Sequence, residues 1–121
     1  MRFLCIIFIS VLFSCKHEGK TDIVSFQQGE FKSYVGIKKD SSLFYRNAKY
    51  QIENYQNQID SFYITWNTPF EYQLQKIHPK DKLDSLPFIV KITAIKPNSY
   101  EFKASYLGSR FVQKGVTYKI K

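Results

Sequence analysis

Apolar and polar residues alternate with a period of two over residues 26–77, and again over residues 88–121. Successive side chains of a strand point to opposite faces, so this period predicts half-buried β-strands. Phe62, Ile64 and Trp66 share one face, with Tyr63 and Thr65 on the other. Beyond a turn at Asn67-Thr68-Pro69, Phe70, Tyr72 and Leu74 fall on one side and Glu71, Gln73 and Gln75 on the opposite side. Tyr100, Phe102, Ala104 and Tyr106 alternate with Glu101, Lys103 and Ser105. At the end of the chain Val116, Tyr118 and Ile120 form the apolar set, against Thr117, Lys119 and Lys121. Gln56-Asn57 and Pro97-Asn98 read as hairpin turns. Residues 78–87 are bounded by prolines and rich in charge, which predicts an exposed loop. Beyond residue 15 no segment of helical length carries a 3.6-residue apolar stripe.

The pattern therefore predicts an all-β fold, a small antiparallel meander of about seven or eight short strands. A sheet with one apolar face must close or fold over to bury it. The expected architecture is a barrel or half-barrel, loosely lipocalin-like, with a β-sandwich as the alternative. Outer-membrane barrels also alternate, but they need strands of about 9–11 residues, and most runs here are shorter. The chain has 11 Phe, 9 Tyr and 1 Trp, enough large apolar groups to give one small domain a core.

The first residues read differently. Met1-Arg2 is followed by an apolar run over residues 3–13, closed by Ser14-Cys15. A transmembrane helix needs about 20 apolar residues, whereas a short apolar run after a basic start, ending in a small residue, is a secretory signal. A cysteine at the cut resembles the lipobox of bacterial lipoproteins, where the thiol is acylated and becomes the mature N-terminus. The expected organisation is a lipoprotein signal peptide over residues 1–14, acylated Cys15 with a polar tether over 15–25, and a single β domain over 26–121. Cys5 leaves with the signal, so an acylated Cys15 leaves no free thiol for a disulfide, a cysteine nucleophile or a thiolate metal site. Lys16, rather than an aspartate, is compatible with transfer to the outer membrane, on either of its faces.

Phe26-x-x-Gly29-x-Phe31, Arg46-Asn47, Gln51-x-Glu53, and Trp66 followed by Glu71-Tyr72-x-Leu74 together resemble a group of small lipoproteins from Bacteroidota, flavobacteria in particular. In that group a cysteine precedes the Glu-Tyr pair; here Phe70 stands in its place. The resemblance implies envelope location and a β fold, and no activity.

The charge and the remaining chemistry narrow the function by exclusion. The formal net charge of +8 favours anionic surfaces, which in an envelope means anionic lipid or acidic glycan and not nucleic acid. Glu53 and Glu71 are the carboxylates nearest to aromatic residues, and two facing carboxylates could hydrolyse a glycoside. On alternate strand positions, however, acids belong ordinarily to the solvated face. Arg46 is placed to pair with Glu53 or Glu71 across strands. His78 with Asp81 and Asp84 falls short of the three or four converging ligands of a zinc site, and no glycine-rich phosphate loop or nucleophile elbow is present. The expectation is a non-catalytic protein without cofactor or metal, anchored to membrane by Cys15. Within it, Arg46, Glu53, Trp66, Glu71 and Tyr72 would form a binding site or polar network. It would act as an interaction module for another envelope protein or, alternatively, as a barrel holding a small ligand or glycan at its mouth.

Overall fold

The computed structural model describes residues 23–36 and 41–121. The segment read from sequence as a signal peptide, with Cys5, and the residues Cys15 and His17 lie outside the described residues. A 3₁₀ turn, Ile23–Gln27, leads into eight strands: β1 (Gly29–Val35), β2 (Ser41–Arg46), β3 (Tyr50–Tyr55), β4 (Gln58–Thr68), β5 (Glu71–Lys76), β6 (Phe88–Lys96), β7 (Ser99–Tyr106) and β8 (Gln113–Lys119). A four-residue helix, α1 (Lys82–Ser85), lies between β5 and β6. Each strand pairs antiparallel with the next, and β8 returns to β1, closing the barrel. Closure leaves no sheet edge to template aggregation.

Local sequence explains several of these elements. Gln56 and Asn57 both have positive φ (49° and 64°), as a two-residue turn matching the twist of the flanking strands requires. Bulges at Trp66/Thr68 and at Ile92/Ala94 interrupt the ladders and bend the long strands into the barrel wall. Because of the first bulge β4 runs on to Thr68, and the turn falls at Pro69-Phe70, leaving Phe70 exposed instead of on the Tyr72 face. Gly115 lets β8 cross close under its neighbours. A Cβ there would collide with the Tyr34 carbonyl and the Phe102 ring.

The interior is built from Phe31 on β1, Phe44 on β2, Ile64 on β4, Tyr72 and Leu74 on β5, and Val90, Ile92, Tyr100, Phe102 and Ala104 on β6 and β7. The 3₁₀ turn plugs one end: Phe26 is fully buried, edge-on to Tyr100 at 5.2 Å, and Ile23 packs against the same cluster. The fold therefore takes hold at Ile23, within the segment that the sequence reads as tether.

Two strands face the other way from their hydrophobicity. On β8 Thr117 is buried while Tyr118, and Ile120 just beyond the strand, are about half exposed, the reverse of the expected apolar face. On β3 Gln51 is buried and Glu53 points inward, whereas Tyr50 and Ile52 look outward. Burial on β8 is set by register, since Thr117 pairs with Ser33 of β1 and their hydroxyls bond at 3.1 Å inside the barrel. The displaced apolar groups gather outside: Leu43, Tyr45, Tyr50, Ile52, Ile59 and Tyr63 make an exposed patch across β2–β4.

Candidate functional site

The barrel interior divides into a filled base and an open upper half. At the base Arg46 is the largest fully buried side chain. Its guanidinium lies 4.5 Å from the Tyr72 ring centre, 4.9 Å from those of Phe31 and Phe44, and 5.6 Å from that of Trp66. Nε donates to Gln51 Oε1 at 3.0 Å, Nη1 to the Phe26 carbonyl at 2.8 Å, and Nη2 to the Tyr100 hydroxyl at 3.2 Å. Tyr100 in turn bonds the Tyr72 hydroxyl at 2.9 Å. Burial holds the Tyr72 phenol well above its ordinary pKa, so it is neutral here. Among the described residues Arg46 makes no ion pair, and neither Glu53 nor Glu71 reaches it. A buried cation is tolerated on these terms because charge-assisted hydrogen bonds contribute about 1.5–3 kcal/mol each and cation–π contacts about 0.5–2 kcal/mol each. Among the described residues the buried Trp66 indole N–H finds no acceptor.

Above this floor lies a cavity of about 280 Å³. Its lower wall is apolar, with Phe44, Leu74, Val90 and Phe102, and the floor is formed by Tyr72, Gln51 and Thr117. The mouth is charged. Glu53, Asp60 and Asp84 face it, with Lys76 as the cation between them. Lys76 Nζ lies 3.3 Å from Asp84 and 3.9 Å from Asp60. Glu53 pairs in register with Asp60 and makes no ion pair among the described residues. Burial, reinforced by Asp60, raises its pKa above the ordinary carboxylate value; Lys76 and a hydrogen bond from Ser42 act in the opposite direction.

Residues 78–87 are mostly exposed, as their charge predicts, but they carry the short helix α1 within them. The Asp81 side chain caps α1 by accepting from the Asp84 amide at 2.8 Å. The capped turn carries Asp84 to Lys76 and places Leu86 on the cavity wall. His78 stays exposed, and among the described residues no three His, Cys, Asp or Glu side chains converge as a metal site requires.

Of the residues singled out from sequence, Arg46, Trp66 and Tyr72 meet at the base and Glu53 stands at the mouth. Glu71 is apart, on the outer face of β5, 3.8 Å from Lys91 and 3.3 Å from Asn67. Glu53 and Glu71 therefore cannot flank one substrate bond. Glu53 also faces the lumen, not the solvated wall. Sequence reasoning missed Gln51 and Tyr100 as partners of Arg46, and Asp60, Lys76 and Asp84 as the rim. Gln51 lay within a quoted motif, but its polar character pointed outward. Comparison with protein-family models, curated proteins and solved structures finds no match for this chain.

Proposed function

We propose that this protein is a non-catalytic binding module that holds a small amphipathic ligand inside its barrel. It is anchored in the cell envelope by acylated Cys15. The observation that supports this reading is the cavity itself: about 280 Å³ above a floor fixed by Arg46, apolar below and polar at its mouth. Small-molecule sites have this composition, and this volume falls just below their usual range of about 300–1,000 Å³, which restricts the ligand to a small one. A barrel of eight strands can be filled completely by its side chains, and the base of this one is.

The test is calorimetric titration with 4-ethylphenol, a neutral probe with one polar end. Binding by the wild type, abolished by Val90→Phe, supports the reading. Ser42→Phe, at the mouth, serves if the first variant fails to fold. Equal binding by the wild type and by folded, filled variants would exclude the cavity as the site.

A second reading, docking of another envelope protein, is supported by the exposed patch of Leu43, Tyr45, Tyr50, Ile52, Ile59 and Tyr63, since small domains rarely leave such clusters uncovered. Charged substitution of Ile52 and Tyr63 would abolish it without affecting 4-ethylphenol.

A further inference from the structure

Resting on the cavity reading, we infer that the ligand is a small amphipathic amine, bound with its ammonium group at the Glu53–Asp60–Asp84 mouth and a hydrogen-bond acceptor at its inner end. The chain as a whole carries a net charge of +8, with only 10 acidic residues. Three of those acids nevertheless face one opening, against a single lysine. The local field at the mouth is therefore opposite in sign to that of the whole molecule.

The ion pairs within the rim leave one valence open. Lys76 is engaged by Asp84 and Asp60, which leaves Glu53 facing the cavity beside Asp60 with no ion pair of its own among the described residues, the Lys76 charge acting on it only from a distance. Two neighbouring carboxylates in a partly dehydrated site favour any cation that can approach them. A metal ion is not the natural occupant, because the acids do not converge as metal ligands do. A protonated amine, with three donors and no fixed coordination geometry, suits a rim of this spread.

An independent observation comes from the floor. Gln51 is only 3 % exposed and lines the cavity. Its oxygen accepts from Arg46 Nε, and its amide nitrogen, which makes no hydrogen bond among the described residues and is not enclosed as the Trp66 indole N–H is, borders the open volume. A donor bordering a largely enclosed volume is met by water or by an acceptor on whatever occupies the cavity. A carbonyl, phenol or hydroxyl at the inner end of the ligand would supply one, and the uncompensated charge of Arg46 just below favours the same polarity. The cavity is thus polarised along its length, donors and positive charge below, carboxylates above.

Three probes of one shape separate the terms: tyramine, 4-ethylphenol and 3-(4-hydroxyphenyl)propionate, which end in a cation, a methyl group and an anion. Titrations at pH 8, above the ordinary carboxylate range, should find tyramine bound on the order of tenfold tighter than 4-ethylphenol, as expected for one charge-assisted hydrogen bond. The propionate should bind weakest. Glu53→Gln should erase the advantage of tyramine over 4-ethylphenol, and Asp60→Asn should reduce it. Equal affinities for tyramine and 4-ethylphenol, or an advantage that survives both substitutions, would overturn the inference and leave the cavity reading standing. Failure of 4-ethylphenol to bind would remove the cavity reading, and the inference with it.

Discussion

At the base of the barrel one buried cation is met by three hydrogen bonds and four aromatic rings. At the mouth three carboxylates share one lysine and face open volume. Both ends carry polar groups on strand positions that point inward, yet only one is closed. The difference lies in what fills the space. Phe26, brought in by the 3₁₀ turn, and Tyr100 occupy the base and exclude water. At the opposite end Ser42, Glu53 and Gln113 stand among Phe62, Phe88 and Tyr106 without filling the space between them, and Asp84 of α1 reaches the opening. The base reads as a structural element and the mouth as a receptive one.

That contrast predicts unequal responses to substitution. Arg46→Ala should be the most damaging change, costing about 3–5 kcal/mol in urea denaturation, because it strips partners from Gln51 and Phe26 and leaves a void among the rings. A loss below about 1 kcal/mol would mean that the base is not the sealed plug described here. Tyr100→Phe should cost about 1–3 kcal/mol, since both Arg46 and Tyr72 lose their partner. Thr117→Val is expected to cost about 1 kcal/mol by stranding the Ser33 hydroxyl. Adding Ser33→Ala should then cost less than the two single changes combined.

Glu53→Gln should act with the opposite sign. The carboxyl of Glu53 has its pKa raised by burial, with Asp60 adding to the effect and Lys76 opposing it; Asp84 and Tyr106 share the same rim. A raised folded pKa means that the native state binds the proton more readily than the unfolded chain. The ionised group therefore lowers stability progressively as pH rises through the interval between the unfolded and folded values. Glu53→Gln should stabilise the protein modestly at neutral pH, and its advantage should fade as pH falls below the ordinary glutamate value. Denaturation midpoints at pH 4 and pH 7 suffice to check this. An advantage that grows on acidification would show that Glu53 is a paired, stabilising carboxylate.

The sequence carried the fold to a large extent, because strand periodicity survives whichever face is buried. The hairpins at Gln56-Asn57 and Pro97-Asn98 and the all-β architecture were legible for that reason. What alternation could not reveal is which face looks inward when a lumen is partly polar. On β8 and just beyond it the apolar set Tyr118 and Ile120 lies outside and Thr117 inside; on β3 Gln51 and Glu53 turn inward while Tyr50 and Ile52 look out. Register with neighbouring strands decided both cases, and register is a long-range property. The candidate site was legible only as scattered residues. Arg46, Trp66 and Tyr72 come together because β2, β4 and β5 lie in sequential order around the barrel. Asp84 joins the mouth through the Asp81 cap, a contact that the charge of this otherwise exposed segment did not reveal.

The central claim, that the upper half of the lumen receives a ligand while the base stays closed, is tested most directly by intermolecular NOEs from 4-ethylphenol to the labelled protein. The account predicts contacts from the probe ring to Leu74, Val90 and Phe102, and none to Phe26 or to the outer-wall residues Ile52 and Tyr63. Contacts confined to that outer wall, with the lumen silent, would contradict it.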